Sequence, residues 1–70
     1  MNLTEKQQAV LTVIESHIEE KGFSPTVREV SVRMGWSSPS TTHNCLNVLK
    51  RKGFLTWHPR QPRTFQILKR

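Results

Sequence analysis

The chain carries one cysteine, three glycines and no acidic residue beyond Glu29. Each shortage closes off a class of function. A lone thiol, Cys45, has no partner for an internal disulfide, which suits a reducing compartment. The glycines stand apart at positions 22, 35 and 53, so there is no glycine-rich loop to cradle a phosphate. No run approaches the roughly 18 apolar residues of a membrane helix. The opening MNLTEKQQ lacks the apolar stretch of a secretory signal, so a cytoplasmic protein with no membrane partner is expected. With no carboxylate after Glu29, an acid/base pair or a Ser-His-Asp triad has little to draw on. The obvious metal donors are His17, His43, Cys45 and His58, and His43 and Cys45, two apart on a helix, point in different directions. No metal or other cofactor is expected. Cys45 reads as a small core residue rather than a nucleophile, and the protein as a non-enzyme.

Seventy residues suffice for one small domain, taken here as 1–70, without linker, repeat or low-complexity segment. A chain of this size buries only about 60% of its unfolded surface, which leaves little core to give up to a wide catalytic cleft. The net charge of +6 is unevenly spread. Residues 1–29 hold all five acids (Glu5, Glu15, Glu19, Glu20, Glu29) and three bases, for a balance of −2. Residues 30–70 hold eight bases (Arg33, Lys50, Arg51, Lys52, Arg60, Arg63, Lys69, Arg70) and no acid. Such asymmetry is the footprint of a phosphate-binding face, although a basic surface also serves simple dispersion.

Helix signals then follow one another along the chain. Thr4 and Gln7 form a capping box ahead of a helix from about Glu5 to Lys21. Val10, Leu11, Ile14 and Ile18 share its apolar stripe, and Glu15, Ser16, Glu19 and Glu20 its outer face. His17 borders the stripe as a partly buried core-edge residue. Gly22 is the stop, in the left-handed conformation that ends many helices. Pro25 keeps Ser24 out of helical conformation. A second capping box, Thr26 to Glu29, opens a helix of about two turns that points Val30 and Met34 inward and ends at Gly35, with Trp36 plugging the turn. Helix, glycine-containing turn, helix is the outline of a helix-turn-helix.

The third helix starts near Pro39, capped by Ser37 or Ser38, with proline suited to a first turn that needs no N–H. At 100° per residue, Thr42, Cys45, Leu46 and Leu49 form a buried arc. Ser40, Asn44, Asn47 and Arg51 line the opposite side, flanked by Thr41, His43 and an exposed Val48. A solvated face usually carries strong helix formers such as Glu and Lys. This one carries short hydrogen-bonding groups that suit base edges in a major groove, though an ordinary polar face is the plainer alternative. Lys50, Arg51 and Lys52 sit at the negative end of the helix dipole, which explains them structurally without precluding phosphate contact.

After Gly53 the period changes. Leu55 and Trp57 alternate with Thr56 and His58, and Phe65 and Ile67 with Thr64 and Gln66, as in two antiparallel strands with one face packed. The loop between them, His58-Pro-Arg-Gln-Pro-Arg63, carries Arg60 and Arg63. It is either a solvated hairpin loop or a wing that grips a backbone. The expected class is mainly α with a small antiparallel β-hairpin: a winged helix-turn-helix of three helices and a two- or three-stranded wing.

The segments LTEKQQAVLTVIESHIEEKG, SPTVREVSVRMGW, SSPS and LKRKGFL give the chain a family likeness. It resembles the N-terminal DNA-binding domain of the LexA repressor over nearly its whole length. The resemblance implies a winged helix-turn-helix that binds operator DNA as a transcriptional repressor. Full LexA-like repressors continue into a self-cleaving domain that also dimerises them, so this sequence reads as a free-standing small regulator or an excised domain. The base-reading positions depart from the family's pattern. Ser40 and Thr41 stand where Asn-Ala is typical, and His43 and Asn44 where a Glu-Glu pair is, while Ser38 matches. A target other than the usual SOS operator is therefore expected.

Helix three is expected in the major groove of double-stranded DNA, with Ser40, Thr41, His43, Asn44 and Asn47 reading bases. Ser38, Arg51, Lys52, Arg60 and Arg63 are expected to hold the phosphate backbone. Tight specific binding generally takes two half-sites, which points to a homodimer on a palindromic operator. Two alternatives stand beside this: a protein-interaction module of anti-repressor or adaptor type, favoured by an exposed Val48 and a marginal core, and an excisionase-like architectural DNA-bending factor.

Overall fold

The computed structural model describes residues 3–68, so Lys69 and Arg70 of the basic half lie outside the described residues. Three helices, α1 (Glu5–Lys21), α2 (Val27–Met34) and α3 (Pro39–Arg51), precede an antiparallel pair, β1 (Leu55–Thr56) and β2 (Gln66–Ile67). Leu55 stands opposite Ile67 and Thr56 opposite Gln66. Among the described residues no helix is long and apolar enough to cross a membrane.

Local chemistry sets the boundaries. Both capping boxes are reciprocal. The Gln7 N–H donates to Thr4 Oγ1 and the Thr4 N–H to Gln7 Oε1, each at 3.1 Å. In α2 the Glu29 N–H donates to Thr26 Oγ1 at 3.1 Å and the Thr26 N–H to Glu29 Oε1 at 2.9 Å. Each box satisfies amides that an open helix end leaves unpaired. Gly22 (φ 80°) and Gly35 (φ 72°) close the two helices in the left-handed region, their N–H groups returned to Ile18 O and to Ser31 O and Val32 O.

The apolar stripes converge on one core of Val10, Leu11, Ile14, Val30, Leu46, Leu49, Leu55 and Phe65. Every helix contributes to it, and so do β1 and the residue before β2. Full burial of a leucine such as Leu46 or Leu49 contributes about 1.5–3 kcal/mol. One buried polar tie joins the two helices of the motif. Ser31 Oγ donates to Val27 O at 3.1 Å, which commits its proton, so its hydrogen bond with Thr42 Oγ1 has Thr42 as donor.

Several expectations are corrected. Ser38 holds the N-cap position of α3 but makes no side-chain cap bond. Cys45 and Val48 are half-buried, not buried and exposed respectively, because they flank the Leu46/Leu49 seam at its edge. The adaptor alternative thereby loses the exposed Val48, one of the two features that favoured it. His17 is buried rather than at the core's edge: the Phe23 ring meets it edge-on at 5.4 Å, and Glu29 and Val32 of α2 line the depression beside it. The hairpin pairs over two residues per strand only. The next pair in this register would be Trp57 with Phe65, but the Phe65 N–H donates to Ser24 Oγ at 2.9 Å, and the two rings instead meet edge-to-face at 5.4 Å.

Candidate nucleic-acid interface

The polar face of α3 emerges as the projection requires. Ser40, Thr41, His43, Asn44, Asn47 and Arg51 are all exposed, and Thr42, Leu46 and Leu49 are buried on the other side. Thirteen residues give a rod of about 20 Å, and a major groove about 12 Å wide admits such a rod. No acidic residue stands in its first turn, and Ser38 leaves the first-turn amides without a side-chain acceptor. That end of the helix therefore presents N–H donors and the positive end of the dipole.

In the basic cluster at the other end, two of the three cations have contacts within the domain. Lys50 Nζ lies 4.7 Å over the Trp57 ring, a cation–π contact. Lys52 Nζ donates to Gln7 Oε1 at 3.1 Å, tying the end of α3 to the start of α1. Arg51 is exposed.

The loop between the strands is internally braced. Gln61 N–H returns to His58 O at 3.2 Å, and Thr64 Oγ1 accepts from His58 N–H at 2.9 Å while donating to Gln61 O at 3.0 Å. The loop packs back toward the start of α2. Phe65 N–H donates to Ser24 Oγ at 2.9 Å, and Arg63 donates from two nitrogens to the two oxygens of Glu29, at 2.8 and 3.3 Å. The Thr26 amide, and after it Arg63, hold the Glu29 carboxyl below its ordinary pKa. Arg63, expected on phosphate, thus has a carboxylate partner within the domain. Arg60 is exposed on the same loop.

A residue that sequence reasoning left out joins these surfaces. Arg28, in the first turn of α2, lines a cleft with His58, Arg60 and Arg63, and a separate depression with Glu29 and Arg33. Arg28 and Val27 also border a further depression, shared with Ser37 and Pro39 at the start of α3. The start of α2 therefore separates the wing loop from the N-terminus of α3, and Arg28 marks the boundary. The local sign of this in the sequence is that a cation in a helix's first turn works against the macrodipole.

Among the described residues no three of His, Cys, Asp and Glu gather as metal ligands would. Burial raises the Cys45 thiol pKa, with the Lys6 charge acting weakly against it. At neutral pH the reactive thiolate is correspondingly scarce.

A family model described as the LexA DNA binding domain matches residues 1–64. Among curated proteins, the LexA repressor of Thermobifida fusca is 43% identical over 65 residues, covering 93% of this chain and 26% of the relative. The LexA repressor of Clostridioides difficile is 41% identical over 70 residues, covering 100% of this chain and 33% of the relative. That of Parafrankia sp. is 42% identical over 66 residues, covering 94% and 26%. The chain thus spans about a quarter to a third of the length of these relatives.

Proposed function

The chain belongs to the LexA DNA-binding domain family, and on that premise we propose that it is a sequence-specific regulator of transcription that binds double-stranded DNA and represses. The observation that carries this reading is the exposed, acid-free face of α3, furnished with serine, threonine, histidine and asparagine rather than with strong helix formers. Inserted in a major groove, Asn44 and Asn47 can each pair bidentately with an adenine edge. Ser40 and Thr41 can accept or donate, and His43 adds a ring nitrogen.

Backbone contacts come from both sides of that face. Ser38 and the amides beside it meet one phosphate, Arg51 another, and Arg60 with Arg28 serves the strand that passes the wing. Lys52 can take part only by extending from its bond to Gln7. These contacts set register and orientation, while base edges set sequence. The domain acts as a reader with no catalytic role, it works in the cytoplasm, and tight binding comes from two copies on a palindromic operator about one helical turn or a multiple apart.

A gel-shift series over salt concentration tests the reading. Duplex should be retained at low salt, with log K falling linearly against log salt by about 0.9 per phosphate contact. Arg60→Ala should weaken all duplexes alike and flatten that slope. Asn44→Ala should keep the slope and relax choice at one base pair. If both variants weakened every sequence equally, the division between base readers and backbone contacts would be wrong.

A further inference from the structure

We propose that Arg63 is a positioning residue: paired with Glu29, it locks the 58–63 loop against the start of α2 and thereby sets where Arg60 meets a duplex. The inference rests on the DNA-binding reading above and adds a division of labour within the wing.

Four contacts converge on this lock. The guanidinium spans both Glu29 oxygens, and Nη1 also donates to the Ser24 carbonyl at 3.3 Å. Its carbon lies 4.9 Å over the Phe23 ring. Two residues beyond Arg63, Phe65 N–H is anchored on Ser24 Oγ. Planar, bidentate pairing with stacking on an aromatic face is what a guanidinium does and an ammonium does not.

The backbone points the same way. Arg63 adopts φ 59°, a left-handed conformation that a non-glycine residue holds only where its surroundings enforce it. Glu29, on the other side, is fixed by its capping bond to Thr26, so the loop is anchored to a helix end rather than to a free side chain. From α2 the tie of Ser31 to Thr42 continues to α3. The loop is therefore registered against the helix that reads bases, and Arg60, exposed at its tip, is aimed by that chain of contacts.

The test is a set of salt titrations on one duplex with the whole chain, comparing wild type with Arg60→Ala, Arg63→Ala, Arg60→Ala/Arg63→Ala, Glu29→Gln and Arg63→Lys. Circular dichroism establishes that each variant is folded. Glutamine can still serve a capping box, so Glu29→Gln removes the charge and keeps the helix start.

If Arg63 acts through the loop, Arg63→Ala costs the contact of Arg60. The double variant then matches Arg60→Ala within about twofold, the scatter of independent sites, and the slope falls by about 0.9 once, not twice. Glu29→Gln weakens binding in the same way although Arg63 is intact, and Arg63→Lys fails to rescue although the charge is kept. The proposal is overturned if the double variant loses about 1.8 of slope, if Glu29→Gln binds as well as or better than wild type, or if lysine restores affinity. In those outcomes Arg63 is itself a phosphate contact and the DNA-binding reading stands. Failure of the wild type to bind any duplex at low salt overturns both.

Discussion

The buried tie between Ser31 and Thr42 gives the sharpest test of how the two helices of the motif are joined. Thr42 is fully buried and Ser31 nearly so. Ser31→Ala removes the acceptor and strands the Thr42 hydroxyl in the core, which costs about 1–3 kcal/mol. Thr42→Val puts a methyl group in place of that hydroxyl at nearly the same volume. Ser31 keeps its bond to Val27 O, so the loss is only that of a net hydrogen bond, about 0.5–1.5 kcal/mol. The double substitution leaves no hydroxyl unpaired and should be more stable than Ser31→Ala alone. At about 4–8 °C per kcal/mol for a domain of this size, Ser31→Ala should lower the melting temperature by roughly 5–20 °C. Adding Thr42→Val should then recover several degrees. Thermal unfolding by circular dichroism on the four proteins reads this directly. If the two losses simply add, the hydroxyls do not depend on each other and the tie does not hold the motif together.

Other consequences follow from single positions. Gly22→Ala places a Cβ in open space but at φ 80°. The cost should be the left-handed backbone penalty alone, about 1–2 kcal/mol, read as a lower urea midpoint; an unchanged midpoint would contradict the assignment. Glu29 has a folded pKa below its ordinary value, so the unfolded chain takes up the proton first as pH falls. Its contribution to stability is complete above the ordinary carboxylate range and is lost as pH drops through the folded value. Urea midpoints between pH 7 and pH 3 should fall further for wild type than for Glu29→Gln, and equal falls would refute the role. Because burial raises the Cys45 pKa, iodoacetamide at pH 8 should modify the folded protein much more slowly than the urea-unfolded chain. Equal rates would show a thiol that is neither buried nor shifted.

Local signals carried most of the helical framework into the sequence. Thr4/Gln7 and Thr26/Glu29 announce helix starts because a capping box lies within four consecutive residues. Gly22 and Gly35 announce stops because only a residue without a Cβ adopts φ near +75° at little cost. The arc of Thr42, Leu46 and Leu49 follows from periodicity alone. What stayed illegible depends on residues far apart in the chain. Arg63 and Glu29 are 34 positions apart, and no local pattern tells a guanidinium that meets a carboxylate from one left for phosphate. The same holds for Ser31 with Thr42 and for Lys52 with Gln7. His17 reads as an edge residue because its neighbours Phe23 and the α2 residues Glu29 and Val32 lie outside its own helix. The strands read longer than they are because alternation continues through Trp57 and Phe65 while pairing stops at Thr56 and Gln66. Ser38 has a capping residue's identity and position without its hydrogen bond.

Selection from a random duplex library, followed by titration of the selected duplex against a scrambled one at physiological salt, bears most directly on the central claim. The expected result is two symmetric half-sites about 10 base pairs or a multiple apart and a preference for the selected duplex of about 10³-fold or more. Asn44→Ala should lose that preference at a single position in each half-site. Recovery of no consensus, or equal affinity for the selected and scrambled duplexes, would contradict the claim that the exposed face of α3 reads DNA.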